Sequence, residues 1–277
     1  GGRRGLRPYP RLRGGMSLAG RAALWAAACW ARASGQPGPG GDPLNFRLGD
    51  GSWQIAEHIM ATATGGDPAA ALREFTSFSE SRGLGLHLGA EKTSLLESAV
   101  QQGLPPKGPA IVLEVGCHAG DGTLGALSAL RGRAGSTIVS TEANPEWLRS
   151  AKAIVDHAAK GTSVRFLPLD FGEEGDLDMF LDDLKEKHRI TAFDAVIFDH
   201  SERMFLTHLR VLLRKGYLRA GSTVYVDNVK RKAQKLRKYL EFVNTKAGKG
   251  FQTVITHIKK PYPDAVAVSV YTGATEL

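Results

Sequence analysis

From about residue 51 onward the apolar positions keep changing period, and each change marks an element. "WQIAEHIMATA" (53–63), "DPAAALREFTSFSESRG" (67–83) and "EKTSLLESAVQQG" (91–103) read as helices. In the second, Asp67 stands as N-cap and Pro68 as the first helical residue. An alternation follows: strand 110–115, helix 121–131, strand 137–141, helix 145–159, strand 163–167, helix 175–187, strand 193–198, helix 203–215 and strand 222–226. A basic helix is predicted over 230–246, then two β-rich runs, "FQTVITHI" and "AVAVSVYTG".

Within 175–187, Leu177, Phe180, Leu181 and Leu184 share one face, opposite acids and lysines. The strands are short unbroken apolar runs rather than alternations, which suits a parallel sheet covered on both faces. Strands alternating with helices predict a doubly wound α/β fold. Such sheets bind ligands beyond the carboxyl ends of their strands, so the residues just after each strand carry the functional interest.

Composition adds little to this. The chain has 277 residues, 42% apolar and 23% charged, as an ordinary globular protein does. Its net charge of +8 is concentrated in residues 1–33, which hold seven arginines and no acid, leaving +1 for the rest. A near-neutral body gives no reason to expect a nucleic-acid partner. From Met16, a charged start, the apolar stretch Ala22–Ala31 and the small-x-small site Ala31-Arg32-Ala33 have the layout of a secretory signal peptide. An arginine-rich, acid-free leader also fits an organelle transit peptide. Residues 1–45 are therefore read as targeting leader and linker, and 46–277 as one domain. The apolar stretch is too short for a stable membrane span. Of two cysteines only Cys117 lies in the body, which excludes an internal disulfide framework or a cysteine-based zinc site.

At the end of the first strand, Glu114-Val115-Gly116 leads through His118 to Gly120 and Gly122. Glycines here let backbone approach a ligand closely. The spacing is not the dinucleotide fingerprint, because Gly116 and Gly120 are four apart. The second strand ends at Glu142, placed to accept hydrogen bonds from ribose hydroxyls, or to sit as a favourable charge at a helix start. The third ends at Asp170, an acceptor for an adenine amine or a solvated loop acid. The fourth delivers Asp199 and His200 to the rim, and the fifth delivers Asp227 and Asn228. Two carboxylates and an amide oxygen are hard donors suited to Mg²⁺. Asp227-Asn228 also reads as a cap on the following helix.

These residues carry a resemblance. The chain from about 51 to 275 resembles the catechol O-methyltransferases through "HLGAEKTSLLESAV", "VLEVGCHAGDGT", "EANPEWLRSAKAIVDHA", "FDAVIFDH", "LLRKGYLRAGSTVYVDNV" and "DAVAVSVYTG". The resemblance implies a seven-stranded, mostly parallel, Rossmann-like methyltransferase sheet with extra N-terminal helices. It implies S-adenosylmethionine and Mg²⁺ as cofactors, a catechol-like small molecule as acceptor, and a monomer. The cofactor-binding set it implies is Leu86, Leu88, Glu114, Gly116, His118, Gly120, Glu142, Asp170, Asp199 and His200. The metal ligands are Asp199, Asp227 and Asn228. Methyl transfer would be a direct displacement on a sulfonium methyl, with the oxygen nucleophile held in line and its proton loosened by the metal.

One stretch departs from the family. The pattern Asp-His-Trp-Lys, whose lysine is the general base, reads Asp199-His200-Ser201-Glu202 here. The acid that helps orient a catechol, expected in "THIKKPYP" (256–263), has no clear counterpart. The catalytic candidates are therefore Asp199, Glu202 and Lys230. A carboxylate beside Asp199 and a dication is a weak base, Arg203 cannot give up its proton, and Lys230 also reads as a solvated lysine. The basic helix "KRKAQKLRKYLEF" lacks interleaved exposed aromatics to stack bases, so it reads as a solvated face rather than an RNA surface.

Overall fold

A computed structural model describes residues 52–85, 87–171, 176–244, 250–260 and 262–273. The leader and linker expected over 1–45 lie outside the described residues, as does Leu86. Helices α1 (Ser52–Thr62), α2 (Pro68–Ser81) and α3 (Gly89–Gly103) precede the alternating part. Then come β1 (Ile111–Val115), α4 (Asp121–Ala129), β2 (Thr137–Glu142), α5 (Pro145–Ala158), β3 (Arg165–Asp170) and α6 (Leu177–His188). The series closes with β4 (Phe193–Phe198), α7 (Phe205–Arg214), β5 (Leu218–Val226), α8 (Ala233–Asn244), β6 (Phe251–Ile258) and β7 (Asp264–Tyr271).

The seven strands form one sheet in the order β3-β2-β1-β4-β5-β7-β6. All neighbours are parallel except the β5–β7 and β7–β6 pairs. Strand order reverses between β1 and β4, the point at which sheets of this kind bind ligands beyond the carboxyl ends of their strands. The doubly wound, mostly parallel sheet expected from the chain is what forms.

Alternate side chains of each strand enter opposite faces. Val112, Ile138, Ile197 and Tyr225 pack with Ile55, Phe75, Leu96, Leu124 and Ile154 of α1–α5. Leu113, Val139, Val196, Phe198 and Val224 pack with Leu181, Leu209, Leu212, Leu236 and Tyr239 of α6–α8. The unbroken apolar strands are thus explained, since both faces of the sheet are covered.

Helix starts follow local chemistry. Asp67 accepts from the Ala69 and Ala70 N–H groups, both at 3.1 Å. Asn144 caps α5 and Asp176 caps α6 in the same way. Three boundaries differ from the sequence expectation by three residues or more. β3 runs later, to Asp170, and carries Pro168, which an edge strand tolerates. β5 begins at Leu218, because Phe193 pairs with Leu218 before a register shift near Ala195. The basic helix begins at Ala233 rather than 230, because the Lys230 and Arg231 N–H groups turn to the Asp264 carboxylate, at 3.2 and 3.0 Å.

Candidate active site

The glycine loop after β1 is shaped by close packing. Gly116 has φ +87°, and a Cβ there would lie 2.6 Å from the Asp199 carbonyl oxygen. Its bare backbone lets the ends of β1 and β4 meet, where the Asp199 N–H donates to the Val115 carbonyl at 3.1 Å. Gly120, at φ +98°, sits against Ala151 of α5, 3.2 Å from a built Cβ. His118 takes φ +46°, a conformation uncommon outside glycine but one that histidine, like asparagine and aspartate, adopts more readily than most residues. Its N–H donates to Glu142 at 2.9 Å, and its ring meets Trp147 edge-on at 4.6 Å. Burial lowers its pKa to about 4.

The acids around this loop divide into two kinds. Glu114 is 1% exposed and accepts from the hydroxyls of Thr123 and Ser140, the latter at 2.7 Å. Burial pushes its carboxyl up to about 7. It ties β1 to β2 and α4 from within. Glu142, at the end of β2, accepts from the backbones of His118 and Asn144, each at 2.9 Å, and lies opposite Asp170 in the β2–β3 register. Asp170 is exposed. Asp121, which the sequence reading passed over, is buried at the start of α4 and accepts the Leu88 N–H at 2.7 Å. It fastens the "HLG" segment to the glycine loop across 33 residues of chain. Burial raises its carboxyl above the usual range.

A cluster of charge occupies the ends of β4 and β5. The ammonium of Lys92, on α3, has no exposure and lies 2.8 Å from Asp227 Oδ1 and 3.0 Å from Asp264 Oδ2. Burial works against its charge, but the attraction of Asp227 and the hydrogen bonds to both acids raise its pKa on balance. Asp264 also accepts from the Lys230, Arg231 and Ala265 N–H groups. Burial would lift its carboxyl, but these amides and Lys92 hold it below the usual range. Asp199 has the Asn228 amide at 3.5 Å. Burial, with the charges of Asp227 and Asp121 added, pushes its carboxyl well up. Asn228 adopts φ +61°, which asparagine tolerates better than most residues. Tyr262 covers the cluster, its ring 5.2 Å from the Lys92 ammonium and 4.2 Å from the Arg231 guanidinium.

Asp199, Asp227 and Asn228 are therefore brought together. Asp199 is burdened by neighbouring negative charge, the situation a cation relieves, and two carboxylates with an amide oxygen are a donor set of the kind a hard dication takes. Among the described residues no three His, Cys, Asp or Glu side chains form a metal-holding group. Glu202 faces elsewhere, to Lys235 of α8 at 3.3 Å and to Lys232, just before that helix, at 3.9 Å. Lys230 is exposed, and the hydrogen bond described for it is made by its backbone. His200 bonds the buried His208 of α7 through ring nitrogens 2.9 Å apart, in a setting lined by Phe198 and Phe205. Burial lowers both imidazoles, His208 to about 4.

No family profile matches the chain. A probable O-methyltransferase of Mycobacterium tuberculosis is 30% identical over 233 residues, covering 82% of this chain and 95% of that protein. The chain belongs to the catechol O-methyltransferase-like family. Members of that family are S-adenosylmethionine-dependent O-methyltransferases, and the transferase activity expected from the motifs follows from membership. The catechol O-methyltransferase of Bos taurus is 24% identical over 186 residues, 67% of this chain and 64% of that enzyme. Catechol O-methyltransferase B of Danio rerio is 27% identical over 176 residues, 64% of this chain and 62% of that one. The match thus spans less than two thirds of both catechol enzymes. In solved structures, the O-methyltransferase of Bacillus cereus bound to SAH gives a TM-score of 0.56 at 18% identity, over 73% of this chain and 90% of that one. A putative O-methyltransferase of Klebsiella pneumoniae gives 0.57 at 17%, over 91% and 99%. Both share the fold. Among the described residues no helix is long and apolar enough to cross a membrane.

Proposed function

We propose that this O-methyltransferase acts on a catechol-type small molecule with the help of Mg²⁺. The observation that carries the reading is the convergence of Asp199, Asp227 and Asn228 at the β4 and β5 ends, beside the loop that Gly116 packs onto Asp199. Those three residues would hold the ion, which when bound favours deprotonation of a coordinated hydroxyl. The remaining work belongs to the chain. Gly116 and Gly120 offer bare backbone to S-adenosylmethionine, His118 holds the loop between them to Glu142, Glu142 accepts from the cofactor's ribose, and Leu88, pinned by Asp121, covers it. Asp170 and His200 border the same end of the sheet, and Glu114 supports the loop from behind. Lys92 fixes the Asp227 carboxylate in place.

A second reading, a slow enzyme or one for another diol or phenylpropanoid acceptor, is favoured by one observation. Glu202, which stands in place of the family's lysine base, is held by Lys232 and Lys235.

The test is isothermal titration with S-adenosylmethionine and then catechol, with Mg²⁺ and with chelator, followed by assay of the methylated product. Catechol binding that needs both cofactor and Mg²⁺, and that Asp227→Asn removes while cofactor still binds, is the expected result. Cofactor binding with no catechol binding under any condition would sink the acceptor assignment and leave the family intact.

A further inference from the structure

Between α7 and α8, reaching the β4–α7 turn at Glu202 and Arg203, lies a cleft of about 400 Å³. Its walls carry Arg203, Arg210 and Arg214 on one side and Lys235 and Lys238 on the other, against a single acid, Glu202. Arg203, Thr207, Arg210 and Arg214 follow one another at spacings of three or four residues and so form one stripe through the turn and the helix. Some of this charge is answered. Glu202 takes Lys235, Arg214 pairs with Asp178, and Arg210 lies over the Phe242 ring at 5.3 Å. Arg203 and Lys238 have no acidic partner among the described residues.

Like charges facing each other across a concave gap repel, and a multivalent anion between them turns that repulsion into attraction. Guanidinium groups pair with phosphate oxygens in a planar, two-pronged geometry, and the Thr207 hydroxyl adds a neutral donor. We propose that this cleft binds a polyphosphorylated anion, at a site separate from methyl transfer. Two features separate it from other polyanion surfaces. The aromatic side chain lining it, Tyr239, is 1% exposed, so no ring is offered to stack a base. The exposed large apolar side chains among the described residues are Met60, Met179, Val254 and Ile255, and none of them lines the cleft for insertion into a bilayer.

The experiment titrates the full chain with tripolyphosphate and with inositol trisphosphate at low and moderate salt, beside vesicles carrying phosphatidylinositol bisphosphate. Saturable one-to-one binding that weakens with salt is expected. The pair Arg210→Glu and Lys238→Glu, tested together, loses at least about tenfold in affinity, while S-adenosylmethionine binding, unchanged, reports an intact fold. Binding to the free anions identifies a soluble ligand. Additional binding to the vesicles identifies a lipid headgroup as source, and either supports the site. No saturation by either free anion, equal affinity in the charge-reversed variant, or binding confined to a single-stranded RNA probe would overturn it.

Discussion

The two halves of the site are built differently. Around β1 and β2, contacts are made by backbone. His118 and Asn144 amides meet Glu142, the Leu88 amide meets Asp121, and glycines clear the space between. Around β4 and β5 they are made by charged side chains from distant parts of the chain, with Lys92 reaching Asp227 and Asp264 across 135 and 172 residues. The first half is a backbone shape held by a few hydrogen bonds, with Asp121 and Glu142 receiving backbone amides. The second is an electrostatic balance, in which each member depends on the others being present.

The largest effect should come from breaking that balance. Lys92→Met leaves Asp227 and Asp264 buried without their cation, and a cost of about 3–5 kcal/mol is expected. Urea denaturation measures it, and a loss below about 1 kcal/mol would mean that the ammonium behaves like a surface charge.

In the backbone half, Glu114 supplies a pH signature. Its pKa is raised on folding from 4.5 to about 7. Its contribution is therefore full below the lower value and is lost as pH rises through the upper one. The loss is on the order of 3 kcal/mol. Glu114→Gln should remove that part of the decline between about pH 4.5 and 7, as thermal unfolding in a pH series would show. An unchanged slope would place the titration elsewhere.

Gly116→Ala puts a Cβ 2.6 Å from the Asp199 carbonyl at a positive φ. Strain of about 1–3 kcal/mol is expected, together with weaker S-adenosylmethionine binding by calorimetry. Normal cofactor affinity in a folded variant would show that the loop does not need its bare backbone. Asp67→Ala lies outside both halves and should cost only about 1 kcal/mol through the lost cap of α2, with binding untouched.

The site was unevenly legible along the chain. Gly116, Glu142, Asp199, Asp227 and Asn228 announce themselves because each stands at or just past the end of an apolar strand run, and Gly120 because it closes the glycine loop that follows the first of them. Lys92 left a fainter signal. It falls on the stripe of α3 that also holds Gly89, Thr93, Leu96, Ala99 and Val100, all buried, so a lysine there needed a buried partner. Asp264 and Asp121 were given no role by the sequence, since nothing local marks either as a buried acceptor. The direction in which Glu202 points could not be read from its place in a motif.

What the sequence determined by itself was whatever depends on near neighbours: the period of each element, the caps at Asp67, Asn144 and Asp176, the glycine bends, and the order of strands and helices that admits few topologies. What only the tertiary structure decided was pairing at long range. Which acid holds Lys92, why α8 waits until Ala233, and how five cations come to face one another across a cleft all depend on strands and helices meeting in space. Hydrogen bonds within a turn are fixed by dihedral angles a few residues apart, whereas buried charges choose partners only after the sheet has brought them out of water.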